Sequence, residues 1–165
     1  MPSKKTTDEL YQQIVTIKKD ASILIKISEG ISVRAFQEEL WLVRYSEPLV
    51  NFEIIWRGED KITLPDHSQL IFHHKKGQGF SMNKLGVKVL RIQNRLGGER
   101  FKPHEKRPTR TLKYLLQTSK IPPWERERVP LIFSEDSLVA VPSFGIHFEF
   151  HARHDEYGFI VEWVR

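Results

Sequence analysis

Eight cations set the chemistry that this chain can do. Arg91, Arg95, Lys106, Arg107, Arg110, Lys113, Arg126 and Arg128 fall within one short stretch. Arginine grips a phosphate through two parallel hydrogen bonds, whereas lysine acts as a mobile point charge. The formal net charge is +5, but it is unevenly spread. Residues 84–128 hold thirteen Lys/Arg against four Glu, a net of +9, and the remaining residues hold thirteen against seventeen acidic, a net of −4. A basic centre on a mildly acidic frame suits a polyanion, and nucleic acid above all. The competing reading is a solvated charged face in which Glu125 and Glu127 pair with neighbouring arginines.

Other chemistries find less support. With no cysteine there is no thiol nucleophile, disulfide or thiolate-bound zinc, which favours a cytoplasmic setting. His147 and His151 sit at even spacing on an expected strand, and His154 falls beyond its end. A zinc site needs three or four convergent ligands, so no metal site is assigned. His73 and His74 are adjacent and point to opposite faces of a strand. The glycine cluster "GQGF" at 77–80 lacks the Lys or Ser/Thr of a phosphate-cradling loop, and no G-x-S-x-G elbow occurs. No residue is therefore assigned a catalytic role. No apolar run approaches the roughly 18 residues that a membrane-spanning helix needs.

The elements that must position the cations follow from periodicity. Thr6 with Glu9 resembles a capping box, and Leu10, Ile14 and Ile17 continue at helical spacing, which predicts a helix over 7–19. Runs at 23–27, 31–36 and 40–45 predict a meander of short strands. Ser46-Glu47-Pro48 breaks the pattern and suggests two domains, 1–46 and 47–165. Further strands are expected at 51–57, in "KITLP", "QLIFHH", "VKVLRI" (87–92), "LIF", "LVAV", "IHFEF" and "FIVEW". One main helix is expected from Thr109 to Ser119, so the fold class is β-rich α+β.

That helix is too short to stand alone in water and must bury a face. Leu112, Leu115 and Leu116 supply it, which leaves Arg110, Lys113 and Gln117 on another side. Pro122 forces Ile121 out of the helical region, and Pro123 suits the first position of a new short turn. Pro122, Pro123 and Trp124 read as structural anchors, with Trp124 packed down and Arg126 and Arg128 projecting from a stiff elbow. Trp41, Trp56 and Trp163 lie in strand-like runs and read as core.

"TRTLKYLLQTSKIPPWERERVPLIFSEDSLVAV", residues 109–141, resembles the C-terminal domain of the tRNA(Ile)-lysidine synthetase family. The residues that fit the family pattern are Leu112, Lys113, Gln117, Ile121, Pro122, Pro123, Trp124, Arg126, Arg128, Pro130 and Leu131. "VKVLRIQNRLGGERF" looks like the strand and turn before it, and "VRAFQEELWLV" is similar to the end of the family's middle domain. Tyr114, Thr118 and the segment His104–Pro108 depart from the pattern. The resemblance implies a β-sandwich-like domain of unusual topology with one flanking basic helix, preceded by a helix and short strands. It implies a tRNA-gripping part of an ATP-dependent ligase that joins lysine to the wobble cytidine of tRNA(Ile). The implied partners are tRNA(Ile), met at its acceptor stem, and an N-terminal catalytic domain of the same polypeptide. That domain would hold ATP, magnesium and lysine. Its Ser-Gly-Gly-x-Asp-Ser loop does not occur here, so the segment is expected to bind no cofactor and to be non-catalytic alone. The alternative is a protein-interaction or homodimerisation module, which exposed strand edges would allow.

Overall fold

The computed structural model describes residues 24–28, 30–37, 39–44, 50–86, 89–142 and 144–165. The helix expected over 7–19 lies outside the described residues. The chain divides into two compact units, Met1–Pro48 and Leu49–Arg165.

In the first unit, β1 (Leu24–Ser28), β2 (Ile31–Phe36) and β3 (Glu39–Arg44) form an antiparallel meander in the order β1-β2-β3. Ser32 and Ala35 are buried, and the Ser32 hydroxyl donates to the Val43 carbonyl at 3.3 Å. Trp41 is half-buried.

The second unit is built from two open sheets. β4 (Glu53–Trp56), β7 (Leu90–Gln93), β10 (Leu131–Ser134), β11 (Ser137–Val141) and β12 (Gly145–Ile146) form a five-stranded sheet in the order β12-β11-β10-β7-β4. β5 (Lys61–Thr63), β6 (Gln69–Lys76) and β13 (Tyr157–Val164) form a second sheet in the order β13-β6-β5. The chain thus leaves the first sheet after β4, builds two strands of the second, passes through the one-turn helix α1 (Met82–Leu85), and returns at β7. Alternation sets the inner faces: Trp56, Leu70, Phe72, Leu90 and Ile92 are buried, while their strand neighbours Ile55 and Arg91 point away. Trp56 of β4 stacks on Phe72 of β6, with ring centroids 4.6 Å apart, so the indole joins the sheets. Its N–H donates to the Glu59 carbonyl at 2.7 Å, which removes the cost of burying a polar atom.

All four residues of β10 and the last four of β11 are buried. Strands covered on both faces need a second layer, and the core cluster does extend to Leu112 and Leu116 of the flanking helix. The β-rich α+β class with a flanking basic helix is therefore the observed one. The "IHFEF" strand is not. Only Gly145–Ile146 pairs, and Phe148–Phe150 forms a 3-10 turn flanked by His147 and His151. The Phe150 amide donates to the His147 carbonyl and the Phe148 amide to the Lys102 carbonyl, so local and loop bonds replace a ladder. Alternating phenylalanines imitate a strand there, but Phe150 packs on the core edge while Phe148 lies under Lys102, whose ammonium is 4.3 Å from the ring centroid.

Candidate nucleic-acid interface

The cationic region rests on a two-stranded ribbon, β8 (Arg100–Phe101) and β9 (Arg110–Thr111), which pairs Arg100 with Thr111 and Phe101 with Arg110. Phe101 is fully buried and pins the ribbon to the core. β9 passes directly into helix α2 (Leu112–Thr118); the earlier start expected at Thr109 is corrected, because Arg110 and Thr111 make strand pairs first. Thr111 caps the helix, its hydroxyl accepting from the Tyr114 amide at 3.3 Å. The Leu112 amide donates to the Glu99 carbonyl at 2.8 Å. Leu112 and Leu116 are fully buried, and each contributes about 1.5–3 kcal/mol by leaving water. That burial holds a helix of seven residues that would not persist alone.

Four of the eight cations face water on this support. Arg110 and Lys113 flank the start of α2, and Lys106 and Arg107 stand on the loop joining β8 to β9. All four are exposed. The loop is ordered by the Arg107 amide donating to the His104 carbonyl at 3.0 Å. Arg100 joins the group from the opposite strand; it is exposed and its guanidinium donates to the Thr109 carbonyl at 3.5 Å. Sequence reading missed Arg100. The turn at Gly97-Gly98 leads the chain into β8, and the 102–109 loop then brings Arg100 opposite Thr111.

The other four cations are turned to structural work. Arg95 donates to the Arg126 carbonyl at 3.0 Å and lies 3.6 Å from the Glu99 carboxylate, both side chains being largely buried. Glu99 in turn accepts from the amides of Leu96 and Gly97 at 2.7 Å each. Arg126 donates through Nε to the Ile121 carbonyl; burial, and then the nearby Arg95 charge, lower its pKa. Arg128 is half-buried and lies 3.9 Å from Asp66. Arg91 donates to the Glu135 carbonyl at 2.8 Å, lies 3.7 Å from Glu53, and covers the Phe133 ring at 5.6 Å.

The projection expected of Arg126 and Arg128 is thus corrected. Pro122 ends the preceding segment in an extended conformation, and Pro123 is the first residue of a one-turn helix, α3 (Pro123–Arg126). So short a helix leaves carbonyls without partners inside itself; Arg95 satisfies that of Arg126, and the Arg126 side chain satisfies the Ile121 carbonyl just before the helix. Trp124 is half-buried. Glu125 pairs with Arg165.

Between α2, the elbow and the turn after β7 lies an open groove of about 540 Å³. Lys113 and Gln117 line one wall, Arg126 and Pro123 another, and Asn51 and Leu96 the far side. Buried Asn94 fixes that far side: it accepts from the Phe52 amide at 3.0 Å and donates to Asn51 Oδ1 at 2.9 Å. A polar trough beside a row of exposed cations can hold a sugar-phosphate backbone by charge and shape. It offers no pair of acids or nucleophile–base couple for bond breaking. Among the described residues, no three His, Asp or Glu side chains gather as a metal site, and no helix is long and apolar enough to cross a membrane.

Open antiparallel sheets with a capped helix on one flank define a β-rich domain with a basic surface ledge. Residues 90–163 match the family described as the TilS substrate C-terminal domain. It is similar to the tRNA(Ile)-lysidine synthases of Nitrosomonas europaea, with 30% identity over 99% of this chain and 36% of that protein, and Coxiella burnetii, with 32% identity over 98% and 36%. The relative from Shewanella woodyi is 30% identical over 92% of this chain and 34% of its own length. The chain therefore spans about a third of the curated relatives that it matches. Its fold is similar to that of a crystal structure of a TilS C-terminal domain, with a TM-score of 0.50 and 18% identity, covering 68% of this chain and 97% of the other.

Proposed function

We propose that this chain grips tRNA for a lysidine-forming, ATP-dependent ligase and carries none of the bond-forming chemistry itself. The observation that carries the reading is the row of exposed cations Lys106, Arg107, Arg110 and Lys113 on a capped, core-anchored support inside the family-matched region. A-form RNA hides its base edges in a deep groove, so a stem is held through phosphates, 2′-hydroxyls and shape. Cations at fixed spacing meet that need without a base code. The target is the acceptor stem of tRNA(Ile). Arg91, Arg95, Arg126 and Arg128 serve the same surface by bracing it and adding positive potential. ATP, magnesium and lysine belong to a separate catalytic domain that acts with this one in the cytoplasm.

The test is binding of tRNA(Ile) to this chain across a salt series, with sizing at matched salt. If the four exposed cations each meet a phosphate, the log–log slope is about −3 to −4. Salt-independent association, or self-association with no RNA-dependent shift, would favour the interaction-module reading instead. Lysidine formation by this chain with ATP, lysine and tRNA would refute the non-catalytic assignment.

A further inference from the structure

We infer that Tyr114 is a stacking platform for one unpaired nucleotide adjoining the RNA stem, which makes it a specificity residue for a stem-to-single-strand junction. This rests on the RNA-binding reading above. Between residues 90 and 142 there are four aromatic side chains: Phe101 and Phe133 are buried, Trp124 is half-buried, and Tyr114 is 51% exposed. The core does not need that ring, because Leu112 and Leu116 already fill the inner face of the helix. Its position is nevertheless fixed. The Tyr114 amide is bound by the Thr111 cap, and the Arg110 guanidinium lies 5.8 Å from the ring centroid. The ring therefore stands beside exposed Arg110, on the helix that also carries exposed Lys113, where the phosphates of a bound strand would lie.

A paired stem seals its base faces by stacking on itself, so it has nothing to offer an exposed ring. An unpaired nucleotide offers a free π-face, and stacking on an aromatic tolerates any base. A charged side chain at this position would add to the phosphate grip without telling paired from unpaired RNA. The phenol instead rewards the place where a stem ends, next to cations that hold the stem.

Two hairpin RNAs, each closed by a non-nucleotide linker so that the loop holds no unpaired base, test this on the full chain: one blunt-ended, one identical but with a short single-stranded 3′ extension. Wild type should bind the extended hairpin about tenfold more tightly. Tyr114→Ala should erase that preference and leave blunt-hairpin affinity and the thermal midpoint unchanged, while Tyr114→Phe should keep the preference. Equal binding of both hairpins by wild type, or an equal loss on both in Tyr114→Ala, would overturn the assignment while leaving the RNA-binding reading intact. Failure of both hairpins to bind in a salt-dependent manner would overturn the two readings together.

Discussion

Arg95 and Arg126 meet through a backbone contact, the guanidinium of the first donating to the carbonyl of the second at 3.0 Å. Two like charges are thereby held close, and the Glu99 carboxylate, 3.6 Å from Arg95, offsets their repulsion. Arg95→Ala removes a donor from a part-buried carbonyl and leaves the largely buried Glu99 without its cation. The expected loss is about 1–3 kcal/mol, seen as a lower urea midpoint at unchanged slope. Weaker RNA binding by this variant would follow from a loosened elbow, not from a lost phosphate contact.

Arg110 and Lys113 behave in the opposite way. Both are exposed, and neither side chain is needed to hold α2. Charge reversal of the pair, Arg110→Glu with Lys113→Glu, should change stability by no more than about 0.5 kcal/mol. The salt slope of tRNA binding should shrink by about 1.4–1.8, the share of two phosphate contacts. Parallel salt titrations of wild type and the double variant, with thermal melts, measure both.

Leu116 is fully buried in the short helix, so its loss should detach the ledge from the core. Leu116→Ala should cost about 2–5 kcal/mol by chemical denaturation. Because α2 carries Lys113 and a groove wall and continues directly from Arg110, RNA affinity should fall even under conditions where the sheets remain folded.

Backbone approach, rather than side-chain packing, limits one corner of the sandwich. A Cβ at Gly79 would stand 2.3 Å from the Phe159 carbonyl oxygen, at a residue with φ of +85°. Gly98 has the same φ but open space around it. Gly79→Ala should therefore be severely destabilising, with little soluble protein, whereas Gly98→Ala should cost only about 1 kcal/mol. Comparing soluble yield and melting of the two variants separates steric exclusion from simple backbone strain.

His147 gives the fold a pH dependence of known sign. Burial among Phe101, Phe148 and Phe150 lowers its pKa from the usual 6.5, with Glu149 pulling the other way. The unfolded chain takes up this proton first as pH falls. Stability is therefore complete above about pH 7 and declines as pH passes below 6.5 towards the lower folded value. Melting midpoints at about pH 7 and about pH 5.5 should differ less in His147→Gln than in wild type. Glu156, lowered chiefly by its bond from the Ser81 hydroxyl, acts in a more acidic window below 4.5 and does not mask the effect.

The parts most legible in the sequence were those governed by local rules. Period-two runs marked the meander of β1, β2 and β3, and the Leu112/Leu116 spacing marked the buried face of the helix. Pro122-Pro123 announced the elbow and its start. The illegible parts depend on partners distant in sequence. Whether Arg126 points out or in is decided by which carbonyls the elbow leaves unbonded, and Arg95, thirty-one residues away, supplies one of the answers. Arg128 meets Asp66 from another sheet region, which no spacing rule reveals. Phe148 and Phe150 alternate like a strand, yet the Lys102 carbonyl claims the amide that a ladder would use.

The ribbon under the ledge has one more implication. Both ends of the 102–109 loop are fastened, by Phe101 against Arg110 and Arg100 against Thr111, before the chain enters α2. Residues inserted between those fasteners would lengthen the arm that carries Lys106 and Arg107 without rotating the helix beside it. The hairpin thus works as an adjustable outrigger on a fixed hull, its reach free to change while the mooring stays put.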